Sequence, residues 1–324
     1  MIFTQEYEDS IAYLGERSLL SNIQKWLGPC TPPAPYGMGD DCAVLNPFSS
    51  GKPLLTTDSM TYGQHFDASV SAKDAGAKLI KRNLSDIAAM GGTPSSAVLA
   101  LLCGPDVSTR WLQKFFEGVR ATSLNYNVSL VGGDVSQVNK GAFSAVLTLT
   151  GTALDPILRQ TAQQNDQIYV TGFLGGSALG KHYAFAPRLV EARWLAKQSE
   201  CNAMMDLTDG LGKDLSVFCP IKCAAEINLD AIPIDQSAHK IAKLSKRKAL
   251  EHAMCDGEDY ELLFSINGNS NRSKFESRWA AAFPDLCLTN IGVFVADSRT
   301  SKLLDSKTKE VLSMYPGFEH FKLP

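Results

Sequence analysis

Aspartates sit at the ends of one apolar run after another in this chain. Asp40 and Asp41 precede Cys42–Leu45, Asp58 follows Leu54-Leu55-Thr56-Thr57, and Asp134 follows Leu130-Val131-Gly132-Gly133. Asp206 and Asp209 flank Leu207-Thr208 behind Ala203-Met204-Met205, and Asp86 ends the run Lys81-Arg82-Asn83-Leu84-Ser85-Asp86. A carboxylate that follows a buried strand is placed at the rim of a sheet, where ligands bind. Several have neighbours that also offer oxygen: Thr56, Thr57, Ser85 and Thr208. Hard cations such as Mg²⁺ want oxygen ligands, few protein carboxylates per ion, and substrate phosphates to complete the shell. Carboxylates gathered without a cation would repel one another and resist ionisation. Converging aspartates therefore predict a divalent metal. Each one taken alone is equally well a turn former or a helix N-cap.

Glycines are the second feature. Gly132-Gly133-Asp134 would let backbone approach a phosphate closely. Gly175 to His182 nearly matches the phosphate-loop pattern G-x-x-x-x-G-K-[ST], but His182 stands where a hydroxyl should hold magnesium. We read that match as chance and the stretch as a loop shaping the second half. His65, seven residues after Asp58 and beside Phe66, is either a substrate contact or a structural histidine. The acidic Gly257-Glu258-Asp259-Tyr260-Glu261 is either a solvated turn or part of a site. No G-x-S-x-G elbow supports a serine hydrolase.

The elements that must carry these residues follow from periodicity. Helical spacing of apolar residues predicts helices over 17–27, 73–90, 109–124, 189–198 and 210–218, with a Lys-rich helical stretch after Leu229. Strands are predicted at 42–45, 54–57, 95–102, 128–131, 143–150, 167–171, 203–207, 225–229, 262–266 and 291–295. Alternating strands and helices argue for α/β layers in both halves without fixing the topology. The polar, irregular stretch Ala153–Asp166 is the expected link, dividing the chain into 1–152 and 153–324.

The 324 residues are too many for one comfortable core and fit two domains. With 44% apolar and 20% charged residues the chain reads as globular. A net charge of −3 without a basic stripe argues against nucleic acid. No apolar run is long enough to span a bilayer, and Met1–Ser10 lacks the regions of a signal peptide, so a cytoplasmic location is expected. Eight scattered cysteines form no C-x-x-C pair and are expected to be reduced.

Taken together and in order, the motifs resemble the thiamine-monophosphate kinase family. They are Gly39-Asp40-Asp41-Cys42-Ala43-Val44, Thr56-Thr57-Asp58-Ser59-Met60, His65-Phe66, Asn83-Leu84-Ser85-Asp86-Ile87-Ala88-Ala89-Met90-Gly91 and Gly132-Gly133-Asp134 in the first half. Val170-Thr171-Gly172, Asp206-Leu207-Thr208-Asp209-Gly210-Leu211, Gly257-Glu258-Asp259-Tyr260-Glu261-Leu262 and Gly317-Phe318-Glu319-His320-Phe321 follow in the second. The resemblance spans almost the whole chain. It implies the fold of the aminoimidazole-ribonucleotide-synthetase superfamily: an N-terminal α+β domain that completes a β-barrel with its twin in a homodimer, and a C-terminal α/β domain. It implies ATP as co-substrate, thiamine monophosphate as acceptor, and several Mg²⁺ ions. By matching position, Asp41, Thr56, Thr57, Asp58, Asp86, Asp134, Asp206 and Asp209 would form the metal shell, with Asp58, Asp86, Asp134 and Asp209 nearest the chemistry. Gly133, Asp134, Arg159 and Thr208 would touch ATP, with Phe116 near the adenine, and His65, Glu258 and Phe318 would meet thiamine monophosphate. The chain departs from the family at Arg159-Gln160-Thr161-Ala162, in the short segment Lys181–Ala186, and at Asp256. Two rivals are a synthetase of the same superfamily and an inactive nucleotide-binding regulator. The first cysteine is Cys30 and the tail ends Phe321-Lys322-Leu323-Pro324, which argues against relatives that need a terminal cysteine.

Overall fold

The computed structural model describes residues 1–33, 36–38, 43–45, 50–297 and 303–318. Two compact units divide the chain. The first is Met1–Ile87 with Gly92–Leu154, and the second is Ala88–Gly91 with Asp155–Pro324.

The first unit opens with α1 (Ile11–Leu14) and α2 (Glu16–Leu27), which buries Leu19, Ile23 and Leu27. It continues through β1 (Lys52–Thr61), α3 (Ala72–Ala89), β2 (Thr93–Cys103), α4 (Thr109–Asn125), β3 (Ser129–Gln137) and β4 (Phe143–Ala153). Its four strands lie in the order β1-β4-β2-β3, with β2–β3 parallel and the other pairs antiparallel. Strand β4 alternates strictly, burying Phe143, Ala145, Leu147 and Leu149 on one face, as a period of two requires of a half-covered strand. Trp111 and Phe115 of α4 meet Phe143 with ring centroids 5.0 and 5.6 Å apart, so α4 covers that face. The hydroxyl of Ser108 starts α4 by accepting from the Trp111 N–H. Among the described residues the sheet is open, with β1 and β3 as its edges.

The second unit holds β5 (Gln167–Thr171), α5 (Lys181–Ala184), α6 (Leu189–Leu195), β6 (Cys201–Asp206), α7 (Leu211–Phe218) and β7 (Cys223–Ile227). After them come α8 (Gln236–Ser245), α9 (Ala249–Cys255), β8 (Leu262–Ile266), α10 (Arg272–Ala282), β9 (Leu288–Ala296) and β10 (Leu303–Asp305). Six strands run β10-β7-β9-β5-β8-β6, and only β10–β7 is parallel. The core gathers Ile168, Val170, Leu207, Leu215, Leu263 and Phe294 around this sheet.

The architecture is mixed α/β with two sheets. Strand–helix alternation along the sequence does not reveal that antiparallel pairs dominate both. The expected strand at 42–45 is irregular over 43–45, and Cys42 lies outside the described residues. Helix α10 has no clear signal in the sequence, because it buries only Phe275 and Trp279. Among the described residues no helix is long and apolar enough to cross a membrane.

Candidate functional site

In the first unit the candidate site is built where α3 faces β1. Thr56 and Asp58 are two residues apart on β1 and project from one face, while Arg82 and Asp86 are one turn apart on α3. The helix rises about 6 Å over four residues and the strand about 6.8 Å over two, so the two pairs match rung for rung. The Thr56 hydroxyl donates to the Asp86 carboxylate. Arg82 Nη2 donates to Asp58 Oδ1 at 3.2 Å, and its Nη1 to the Ser59 carbonyl at 2.7 Å. Thr57 points the other way: its Oγ1 donates to the Leu147 carbonyl at 3.2 Å and accepts from Thr148 Oγ1 at 3.0 Å.

Asp134 is set apart from this group. Asp58 lies in the cross-strand row Asp58–Leu147–Leu99–Gly133, and Asp134 in the next, Ser59–Val146–Ala100–Asp134. Adjacent rows point to opposite faces, and two strands separate the edges by about 14 Å. Within its unit, then, Asp134 does not join Asp58 and Asp86. Its carboxylate accepts from Ser136 Oγ at 2.8 Å. Gly133 has a structural reason of its own: a Cβ there would lie 2.0 Å from the Leu99 carbonyl oxygen.

His65 accepts the Thr61 N–H on Nδ1 at 3.0 Å, which puts the proton of the neutral ring on Nε2. The buried Lys78 donates to the His65 carbonyl at 2.7 Å. Phe116, 1% exposed, is a core residue between Trp26 and Phe115 and presents no surface for adenine. Asp41 lies outside the described residues.

In the second unit three distant segments meet. The Glu258 N–H donates to the Thr208 carbonyl at 2.8 Å, Tyr260 N–H to Leu207 O at 2.9 Å, and Phe318 N–H to Asp209 O at 2.8 Å. These bonds draw the 206–211, 257–261 and 316–318 segments into one loop cluster beside the buried Asp206 at the end of β6. Asp214, in the first turn of α7, fixes the cluster by accepting the N–H groups of Thr208 and Asp209 at 2.9 and 3.1 Å. Burial pushes its carboxyl up to about 7; Asp209 and Asp206 add to the rise, and the two N–H bonds oppose it. Lys213 pairs with Asp209 at 2.7 Å and also donates to the Phe318 carbonyl at 2.7 Å. Gly317 has φ +67°, and a Cβ there would come within 2.6 Å of the Asp209 carbonyl, so the close approach that seats Phe318 needs glycine.

Glu258 and Tyr260 both have φ 52°, a conformation sparsely used by such side chains and found where function constrains backbone. The Tyr260 hydroxyl donates to Glu258 Oε1 at 3.1 Å, and His182 Nδ1 lies 3.6 Å from Oε2. Phe318 is 45% exposed and lines a cleft of about 790 Å³ with Met314, Arg247, Glu251, His252 and Asp256. Arg247 and His252 hold Asp256 at 2.9 and 2.6 Å. Arg159 is exposed in the irregular stretch before β5.

The phosphate-loop-like stretch is accounted for here. Lys181 is turned into its own unit, 3.2 Å from Glu261 and 3.7 Å from Asp259, and it donates to the Phe173 carbonyl. Arg188 grips the same Glu261 through two bonds of 2.7 Å. A lysine held by two buried carboxylates serves the fold, in keeping with a chance match to the pattern.

Among the described residues no three His, Cys, Asp or Glu side chains form a metal-holding group. The first unit offers two carboxylates and a hydroxyl on facing elements, all oxygen. That donor set fits magnesium, which binds through one or two carboxylates and leaves the rest of its shell to water and phosphates. Sequence reasoning missed Arg82, Lys213, Asp214, His182 and Tyr260. Arg82 could have been found from its spacing of one turn before Asp86. The others are tied in by contacts that no local pattern announces.

The AIR synthase related protein, N-terminal domain, family matches residues 39–153. The thiamine-monophosphate kinase of Rhodopirellula baltica is 38% identical over 244 residues, covering 72% of this chain and 77% of that protein. That of Buchnera aphidicola subsp. Acyrthosiphon pisum is 33% identical over 311 residues, covering 88% and 92%. The solved structure of AaThiL complexed with AMPPCP and TMP superposes with a TM-score of 0.72 at 26% identity, covering 95% of this chain and 97% of that one.

Proposed function

The chain belongs to the thiamine-monophosphate kinase family, and we propose that it makes thiamine diphosphate by moving the γ-phosphoryl group of ATP directly, in line, onto the phosphate of thiamine monophosphate at a magnesium–aspartate cluster. The observation that carries this reading is the loop cluster of the second unit. There Thr208-Asp209, Glu258 and Phe318 are locked together by backbone bonds of 2.8 Å. A carboxylate, a hydroxyl, an acidic side chain and an exposed aromatic ring in one place suit a substrate that carries both phosphate and a cationic aromatic ring.

The acceptor is already an anionic phosphate, so the site has little need of a general base. It must bring two highly charged phosphates into line and neutralise their charge. Magnesium, when bound, supplies that neutralisation and orients the phosphate oxygens. In this reading Thr56, Asp58 and Asp86 of the first unit hold cations, with the Thr56 hydroxyl fixing the Asp86 carboxylate. Asp206 and Asp209 act likewise in the second unit, where the Asp214 bonds keep the 207–210 backbone fixed. Thr57 and Asp134, which share the opposite face of the sheet, and Asp41 would serve further cations, while Gly133, Thr208 and Arg159 meet ATP. His65 presents Nε2–H to the acceptor phosphate; Glu258 balances the thiazolium charge and Phe318 covers its ring.

Incubation with ATP, Mg²⁺ and thiamine monophosphate should give thiamine diphosphate and ADP by chromatography, with none when Mg²⁺ is chelated. Direct transfer predicts inversion at phosphorus with chirally labelled γ-phosphate. Retention would point to a phosphoenzyme and overturn the in-line step.

A further inference from the structure

We propose that Arg82 is the resident counter-ion of the first unit's metal face: it occupies Asp58 until a cation replaces it, and so sets how tightly the chain holds magnesium. The inference rests on the reading of Asp58 as a metal ligand. Arg82 was not among the expected site residues, yet it grips both Asp58 Oδ1, at 3.2 Å, and the Ser59 carbonyl, at 2.7 Å. Its side chain is 14% exposed and that of Asp58 27%, so the pair is partly withdrawn from solvent. Charges so placed are screened less.

Asp58 faces a permanent cation in Arg82. A guanidinium cannot lose its proton to make way for a metal. A divalent ion that draws on Asp58 must therefore displace Arg82 or bind beside its positive charge. Either route weakens binding of the bare ion. Nucleotide phosphates reverse the balance, because they complete the magnesium shell and accept the released guanidinium. Arg82 thus favours loading of metal together with nucleotide over loading of metal alone.

The test is a titration of the nucleotide-free full chain with Mn²⁺, free ion being followed by electron paramagnetic resonance. Arg82→Gln should bind Mn²⁺ about ten-fold more tightly, the scale of a +1/+2 repulsion over about 5 Å at near-water dielectric. Arg82→Lys keeps the charge and should stay near wild type, and Asp58→Asn should bind more weakly. Weaker binding in Asp58→Asn with unchanged or weaker binding in Arg82→Gln would overturn the counter-ion role and leave the metal reading standing. Unchanged binding in Asp58→Asn would remove both. If Arg82→Gln does not fold, the wild-type chain decides. Its Arg82 Nε–H resonance, assigned by its loss in Arg82→Lys, should move as Mg²⁺ is added, and an unmoved resonance at saturating Mg²⁺ overturns the proposal.

Discussion

Phe318 is where side-chain placement separates two readings. A ring that only anchored the tail would be buried, whereas this one is 45% exposed while its backbone is fastened to Asp209 and Lys213. Phe318→Ala should therefore raise KM for thiamine monophosphate about two-fold to thirty-fold, the range of about 0.5 to 2 kcal/mol for a cation–π contact, with KM for ATP little changed. Equal rises in both constants with a lowered melting temperature would make the ring structural. Asp259 offers a test of a different kind. Its Oδ1 accepts the Gly175 N–H at 2.8 Å, while Oδ2 is buried with no hydrogen-bond partner among the described residues. Burial pushes this carboxyl up from 3.8 to about 7, even with Lys181 nearby to oppose the rise. A raised acid binds its proton more tightly in the folded chain than in the unfolded one, so its contribution to stability falls as pH rises. The loss runs between about 4 and about 7 and is complete above that. Melting temperatures across this window should fall less steeply in Asp259→Asn than in wild type. Equal slopes would mean that Asp259 ionises freely.

Between elements, the approach of β3 to β2 decides what Gly133 does. With 2.0 Å between a notional Cβ and the Leu99 carbonyl oxygen, alanine would force two backbones apart. Gly133→Ala should cost about 1–3 kcal/mol, the usual scale of overpacking, seen as a lower melting temperature without any nucleotide present. Unchanged stability with a raised KM for ATP would assign the glycine to phosphate approach alone. The same scale explains which secondary structure could be read from sequence. Strands β5 and β8 are short continuous apolar runs and helices α3 and α4 carry helical periodicity, all bounded by turn residues, and they fall within a residue or two of where those signals put them. Helix α10, with two buried side chains, and β10, three residues long, carry too little pattern to be read.

For the whole chain, the open sheet of the first unit has its own consequence. Its edges β1 and β3 are unpaired among the described residues, and Leu55 and Val98 are exposed at 72% and 41%. Open edges with apolar neighbours invite pairing with a second chain. We propose a homodimer through this unit, completing a barrel, and expect light scattering at micromolar concentration to give twice the 35.1 kDa chain mass. Leu55→Glu should shift the mass toward one chain, and a wild-type monomer would contradict the assembly.

By itself the sequence determined where the chemistry-bearing segments begin and end, because aspartates, glycines and apolar periods are local signals. Thr56, Asp58, Asp86, Asp206, Asp209, Glu258 and Phe318 stand out in the sequence from such signals and from the resemblance they carry. Which of them meet was decided only by tertiary structure. Strand alternation turned Thr57 away from Asp58, and two intervening strands set Asp134 apart within its unit. Backbone bonds between residues some 50 to 110 positions apart joined Thr208, Asp209, Glu258 and Phe318. Asp214, which fastens the loop cluster, carries no sign of that role in the sequence for the same reason. A partner's identity is a matter of contact in space, and composition and spacing along the chain do not encode it.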